Sequence, residues 1–246
     1  MPRYFLELAY MGTRYAGFQV QQNANTVQAE VEKALAIYLR KTIELTGSSR
    51  TDAGVHARQN FFHFDVEGFE EGNWPDRVYH LNAILPKDIV IKQIFAVKED
   101  AHCRFDALSR TYEYTLYHYK DPFLRDRAYY YPFKLEPGLL NEAAYLIKAT
   151  TGFKAFAKRN SQVQTFDCTI HESEWICNGQ VILYRVKGNR FLRGMVRGLV
   201  GTMLRVGSKK AGMEEFRGII ASQDPSKADF SVPAHGLALV AVQFPF

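Results

Sequence analysis

Residues Tyr4 to Tyr10 form a short apolar run interrupted by Glu7 alone and read as a strand. A turn-rich stretch, Met11-Gly12-Thr13-Arg14-Tyr15-Ala16-Gly17, follows and predicts a loop. Val27, Val31, Ala34, Leu35, Tyr38 and Leu39 then recur at helical spacing, with Asn25 and Gln28 placed as a capping box and an expected end near Lys41. Ile43 to Thr46 predicts a short strand. Phe62, Phe64 and Val66, alternating with His63 and Asp65, predict another. The segment Ser49-Arg50-Thr51-Asp52-Ala53-Gly54-Val55-His56 therefore falls in a loop between two strands.

Beyond Trp74-Pro75 a short helix is expected, then strands over Ile89–Val97 and Thr111–His118, the second with Tyr112, Tyr114, Leu116 and His118 on one face. Further strands are expected near 128–131, 169–176, 181–187 and 237–244, and helices over 139–149 and 214–222. The widest apolar stripe belongs to a helix predicted over Phe191–Val206, with Arg193 and Arg197 four residues apart on one side. Gly194, Gly198 and Gly201 weaken that helix and imply close packing against other backbone. Sequential strands with short connections favour an α+β fold with largely antiparallel sheets over alternating βαβ units. The two halves share a loose element order, so two similar mixed domains are expected, 1–103 carrying the Asp52 loop and 104–246.

Composition narrows the class. The apolar fraction is 47%, and no run approaches the roughly 18 apolar residues of a membrane helix. The N-terminus lacks the layout of a secretion signal, so the cytoplasm is the expected location. Cys103, Cys168 and Cys177 lack paired spacing and read as free thiols. The net charge of +5 permits a polyanionic partner. Nine Lys or Arg residues lie between Arg185 and Arg217 against the acids Glu214 and Glu215, a candidate phosphate-binding face. The chain has no phosphate-loop or dinucleotide fingerprint, no zinc-site spacing and no serine-hydrolase elbow, so neither cofactor nor metal is expected.

Arg50 and Gly54 flank Asp52 at two residues on either side. A nearby guanidinium stabilises the carboxylate charge that a nucleophile or general base carries. Alone, such a pattern favours an Asp capping a turn, with Gly54 supplying a positive φ. Five ordered blocks decide between these readings: Tyr10 to Gln21, Arg50 to Ala57, Arg104-Phe105-Asp106-Ala107 to Tyr114, Asn189 to Arg197, and His235-Gly236-Leu237-Ala238-Leu239. Together they resemble the tRNA pseudouridine synthase A family over nearly the whole chain.

The resemblance implies the pseudouridine synthase fold, with the two domains forming a central cleft. It also implies isomerisation of uridine to pseudouridine at positions 38, 39 and 40 of the tRNA anticodon stem-loop, by a homodimer without cofactor. Carried over, Asp52 is the nucleophile, Arg50 displaces the target base and holds phosphate, and Tyr112 stacks on the uracil. Arg197 pairs with the Asp52 carboxylate and Leu237 walls the pocket, while Arg14, Arg58, Lys158 and Arg159 are further candidate RNA contacts. The chain departs from the family at Ser49 (usually Gly), Phe18 (usually Trp), Arg193-Gly194 (commonly His-His) and Cys168 (where Arg is expected). The competing readings are an RNA-binding protein that keeps the fold without catalysis, and a small-molecule enzyme using an Asp-Arg pair.

Overall fold

The computed structural model describes residues 1–68, 74–158 and 163–246. Among these, mixed α and β elements with mainly antiparallel strand pairing make an α+β protein. The chain divides into two compact units, residues 1–108 with 239–246, and residues 109–238.

In the first unit, β1 (Arg3–Tyr10) lies between β3 (His56–Asp65) and β4 (Ile89–Val97), antiparallel to both. The two-residue strand β2 (Thr46–Gly47) extends the pairing of β3. Strand alternation sends Tyr4, Leu6 and Leu8 to one face, opposite Phe64, Phe62 and Asn60. The Trp74 ring of α2 (Trp74–Ile84) meets Tyr4 there at 5.1 Å. The other face carries Phe5, ringed by Phe61, Phe95 and Phe244 at 5.3–6.4 Å. Glu7 shares that face and is buried, its carboxylate accepting from Gln59 and Gln93 and lying 3.5 Å from Lys92.

Two local expectations are corrected. Helix α1 (Val27–Leu39) is capped by Thr26, whose hydroxyl accepts from the Ala29 amide, and not by Asn25. Gln28 instead donates to Glu32 and to the Leu45 carbonyl. Glu32 in turn accepts from the Leu45 amide, so side chains satisfy the backbone at Leu45 and the strand expected over 43–46 shrinks to β2.

In the second unit, β8 (Val181–Gly188) pairs antiparallel with β5 (Ser109–Tyr117) and with β7 (Ile170–Asn178). The short β6 (Tyr129–Tyr130) joins β5 in parallel. Helix α3 (Pro137–Ala149) is stitched to β7 through Asn141, which bonds both the amide and the carbonyl of Trp175. The Trp175 ring packs on Tyr184 at 5.0 Å, and its indole N–H points to Met203 of α4 (Met195–Gly207). Helix α5 is Met213–Ser222 and β9 is Leu237–Gln243.

Helix α4 begins four residues later than its apolar pattern predicts. Gly194 caps it with φ of +72°, a conformation that costs a residue with a Cβ, so Arg193 precedes the helix and does not share a face with Arg197. The inference of close packing holds at Gly201, where a Cβ would collide with the Asp229 carbonyl. At Gly198 the neighbour is the Phe230 ring, a side chain and not backbone.

Candidate active site

The link from β2 to β3 is polar in sequence, yet Ser48, Ser49 and Thr51 are buried. Buried polar groups require partners; other segments supply them to Thr51 and to the Ser49 carbonyl, whereas the Ser48 hydroxyl finds none among the described residues. Tyr10 and Thr51 share a hydroxyl hydrogen bond of 2.8 Å. Asn60 of β3 donates from Nδ2 to the Ser49 carbonyl at 2.9 Å and to the Tyr10 hydroxyl at 3.2 Å. The Phe18 amide donates to the Thr51 carbonyl and the Gly54 amide to the Tyr15 carbonyl. The Val55 amide closes a turn on the Asp52 carbonyl, with Gly54 at φ of +79°. Burial alternates along this stretch, leaving Arg50 exposed and Asp52 half-buried two residues on.

The 10–21 block is therefore the bed of the Asp52 loop. Gly12 lies hard against the loop: its amide donates to His56 Nδ1 at 2.9 Å, and a Cβ there would run into the Val55 carbonyl. Phe18 is fully buried and stacks on Phe62 at 4.5 Å, so an aromatic smaller than Trp fills this place. The Tyr15 hydroxyl donates to Asp88 at 2.6 Å, and burial, followed by this bond, pushes its pKa up. Arg14 lies 3.6 Å from the same carboxylate with its side chain 77% exposed. Arg58 is exposed on β3. Ser49 is not in the left-handed region, which explains why a residue with a Cβ is accepted before Arg50.

The second unit holds Tyr112, Arg197 and Leu237. Tyr112 lies on β5 opposite Val186, and Phe191 meets its ring edge to face at 5.1 Å. Arg197 donates from Nε and Nη2 to the Val232 carbonyl at 2.8 and 2.6 Å, and from Nη2 to the Phe230 carbonyl at 3.3 Å. Tyr114 donates to the neighbouring Pro233 carbonyl at 2.7 Å. Burial raises the Tyr114 pKa, and the Arg197 charge opposes that rise. Arg197 and Tyr114 thus hold the segment 230–233 that leads into buried Leu237. The Lys158 amide donates to the Arg193 carbonyl, whereas Arg159 lies outside the described residues. Cys168 is buried, which pushes its thiol up to about 11.

The sequence count overstates the positive field of residues 185–217. Arg185, Lys187, Arg205, Lys209 and Arg217 are each ion-paired with nearby glutamates. Among the described residues, no group of three or more His, Cys, Asp or Glu is placed to hold a metal ion, and no helix is long and apolar enough to cross a membrane.

Three residues central to the loop carry no role in the sequence reading: Thr51 and His56, which stand there only as members of the motif, and Asn60. A signal existed for Asn60. It occupies the buried face of a strand otherwise filled by phenylalanines, and a polar residue there must be bonding something.

Comparison with known proteins identifies the family of the chain. A family model described as tRNA pseudouridine synthase matches residues 8–106 and 143–245, which include both the Asp52 loop and the Arg197 helix. A tRNA pseudouridine synthase A of Porphyromonas gingivalis is 43% identical over 100% of this chain and 98% of its own length. That of Bacteroides fragilis is also 43% identical, over 99% of this chain and 96% of its own. One from Staphylococcus aureus is 35% identical over 96% and 89% respectively. With the family match covering most of the sequence and relatives aligning almost end to end, the chain belongs to the tRNA pseudouridine synthases, an isomerase family.

Proposed function

We propose that this protein converts uridine to pseudouridine at positions 38, 39 and 40 in the anticodon stem-loop of tRNA, with Asp52 as the nucleophile. The observation that carries this reading is the Asp52 loop. A half-buried carboxylate, with an exposed guanidinium two residues away, sits on chain whose neighbouring polar groups are bonded by Tyr10, the 12–18 stretch and Asn60. Such preorganisation suits a group that must meet one atom of a large substrate.

The reaction is an isomerisation and its atoms balance internally. The bond from ribose C1′ to uracil N1 breaks, the ring turns, and a bond from C1′ to C5 forms; C5 loses a proton and N1 carries one. No oxidant, reductant or group donor enters. Asp52 begins this by attacking C1′ or C6, or by removing a ribose proton. A uridine in a stem must first leave the stack, at a cost of a few kcal/mol. Arg50 offsets that cost through phosphate and occupation of the vacated space, and Tyr112 through stacking on the uracil. Arg197, oriented by the 230–232 carbonyls, pairs with the Asp52 carboxylate, and Leu237 gives the uracil an apolar wall. Arg14 and Arg58, both exposed, contact the tRNA backbone. The working form is a homodimer in the cytoplasm.

Incubation with unmodified tRNA transcripts, followed by chemical labelling of pseudouridine, tests the proposal. Label at positions 38–40 is expected. Tight tRNA binding without any pseudouridine would instead support an RNA-binding protein that keeps the fold without catalysis.

A further inference from the structure

The first unit contains a pocket of about 310 Å³, and of its lining residues only Arg50 has a role in the reaction proposed above. Arg50 forms part of its wall, so it opens beside the Asp52 loop, but Asp52 is not among its lining residues. Arg104, Phe105 and His102 form another part, and Thr46 and Gln19 contribute polar atoms. No lining residue is acidic.

The far wall is a built turn. His102 and Asp106 close it: the His102 amide donates to Asp106 Oδ2 at 2.7 Å, and the Asp106 amide donates back to the His102 carbonyl at 3.0 Å. His102 Nδ1 accepts from the Arg104 amide at 3.1 Å, which leaves the proton of the neutral ring on Nε2. Burial lowers the His102 pKa, so the neutral ring prevails at neutral pH. The turn displays Phe105 with 73% of its surface exposed. The Arg104 guanidinium stands 5.5 Å from the centre of that ring and the His102 ring 4.2 Å from it.

An exposed aromatic alone is unremarkable. Here it stands with two guanidinium groups, a neutral imidazole and polar atoms in a concavity near the lower end of ligand-pocket sizes, roughly 300 to 1,000 Å³. That combination matches single-stranded nucleic acid, whose bases stack on aromatic and guanidinium planes and whose phosphates take the charge. We propose that this pocket receives one unpaired nucleotide of the tRNA other than the uridine being isomerised. Its base stacks on Phe105 and its phosphate is held by Arg104, so that the flipped uridine is anchored on one side by a second displaced nucleotide. The proposal rests on tRNA being the substrate.

The test measures tRNA dissociation constants at several salt concentrations, together with kcat and KM, for the wild type, Phe105→Ala, Phe105→Trp and Arg104→Ala. Phe105→Ala is expected to weaken binding about tenfold, the usual size of one lost base–aromatic stack, with kcat retained at saturating tRNA. Phe105→Trp should restore wild-type affinity, which a merely structural defect would not allow. Arg104→Ala should lower the slope of log affinity against log salt by about one, as for one lost phosphate contact. Wild-type affinity in Phe105→Ala overturns the pocket assignment while leaving the isomerase reading intact. A wild type that binds tRNA but forms no pseudouridine overturns the isomerase reading, and the Phe105 and salt readouts still decide the pocket. A wild type that does not bind tRNA overturns both.

Discussion

Asp52 sits on irregular chain, and its position is set from outside by the Tyr10 hydroxyl, the Asn60 amide and the backbone of the 12–18 segment. Arg197 sits on α4, a helix most of whose residues are buried, and its guanidinium is set by two carbonyls of the segment packed against that helix. Hydrogen bonds and a missing Cβ fix the loop, so small displacements change its geometry with little loss of buried apolar area. Packing fixes the helix, so a comparable displacement costs stability before it costs geometry. The expected consequence is that the two regions fail differently when crowded.

Of the variants that probe this contrast, Gly12→Ala gives the largest expected effect. The new Cβ must push the Val55 carbonyl away, and Val55 closes the turn on Asp52. A misplacement near 1 Å in a reacting group costs about 100-fold. Turnover on tRNA should fall by that order while the melting temperature moves by only a few degrees. A variant with normal turnover would show that the 10–21 block does not position the carboxylate.

Gly201→Ala is the counterpart on the helix. Its Cβ meets the Asp229 carbonyl, and overpacking of this kind costs typically 1–3 kcal/mol. Denaturant titration should show that loss, and turnover per folded molecule should stay within about tenfold of wild type, less than 1.4 kcal/mol of barrier. Inactivation without loss of stability would erase the distinction between the two regions.

The third effect concerns the ground on which the loop rests. His63 of β3 is buried, with Cys103 in hydrogen-bond contact, and burial followed by the Arg3 charge lowers its pKa from 6.5 to about 4. The fold therefore favours neutral His63. Its contribution is fully present above pH 6.5 and is lost as pH falls toward 4. A loss on the order of 1–2 kcal/mol is expected across that window. His102, also lowered, acts in the same direction, whereas Asp65, held down chiefly by its bond to Arg3, adds its loss below the ordinary carboxyl range. His63→Asn keeps an acceptor for the Cys103 amide and should flatten the urea midpoint between pH 6.5 and pH 4.5. An equally steep profile in that variant would move the effect elsewhere.

Long periodic segments were legible in the sequence. β1, β4, β5, β8, α3 and α5 lie within a few residues of where period and breakers place them, because each buries one face against a partner. Errors arose where a side chain competes with the backbone or a glycine stops a helix, as at Leu45, Thr26 and Gly194. Asp52 was legible through its motif, and so was the turn that presents it. The reason its loop is ordered was not, because Tyr10, Phe18 and Asn60 reach it from distant positions that no local pattern connects. Lone charges were the least informative: Arg185 and Arg217 read as possible phosphate ligands and are found beside glutamates.

The central claim is that the Asp52 carboxylate performs the chemistry while other groups bind the RNA. Asp52→Ala, assayed on unmodified tRNA for both pseudouridine formation and binding, tests it most directly. The account predicts no detectable pseudouridine and tRNA affinity close to wild type; turnover at the wild-type rate would contradict it.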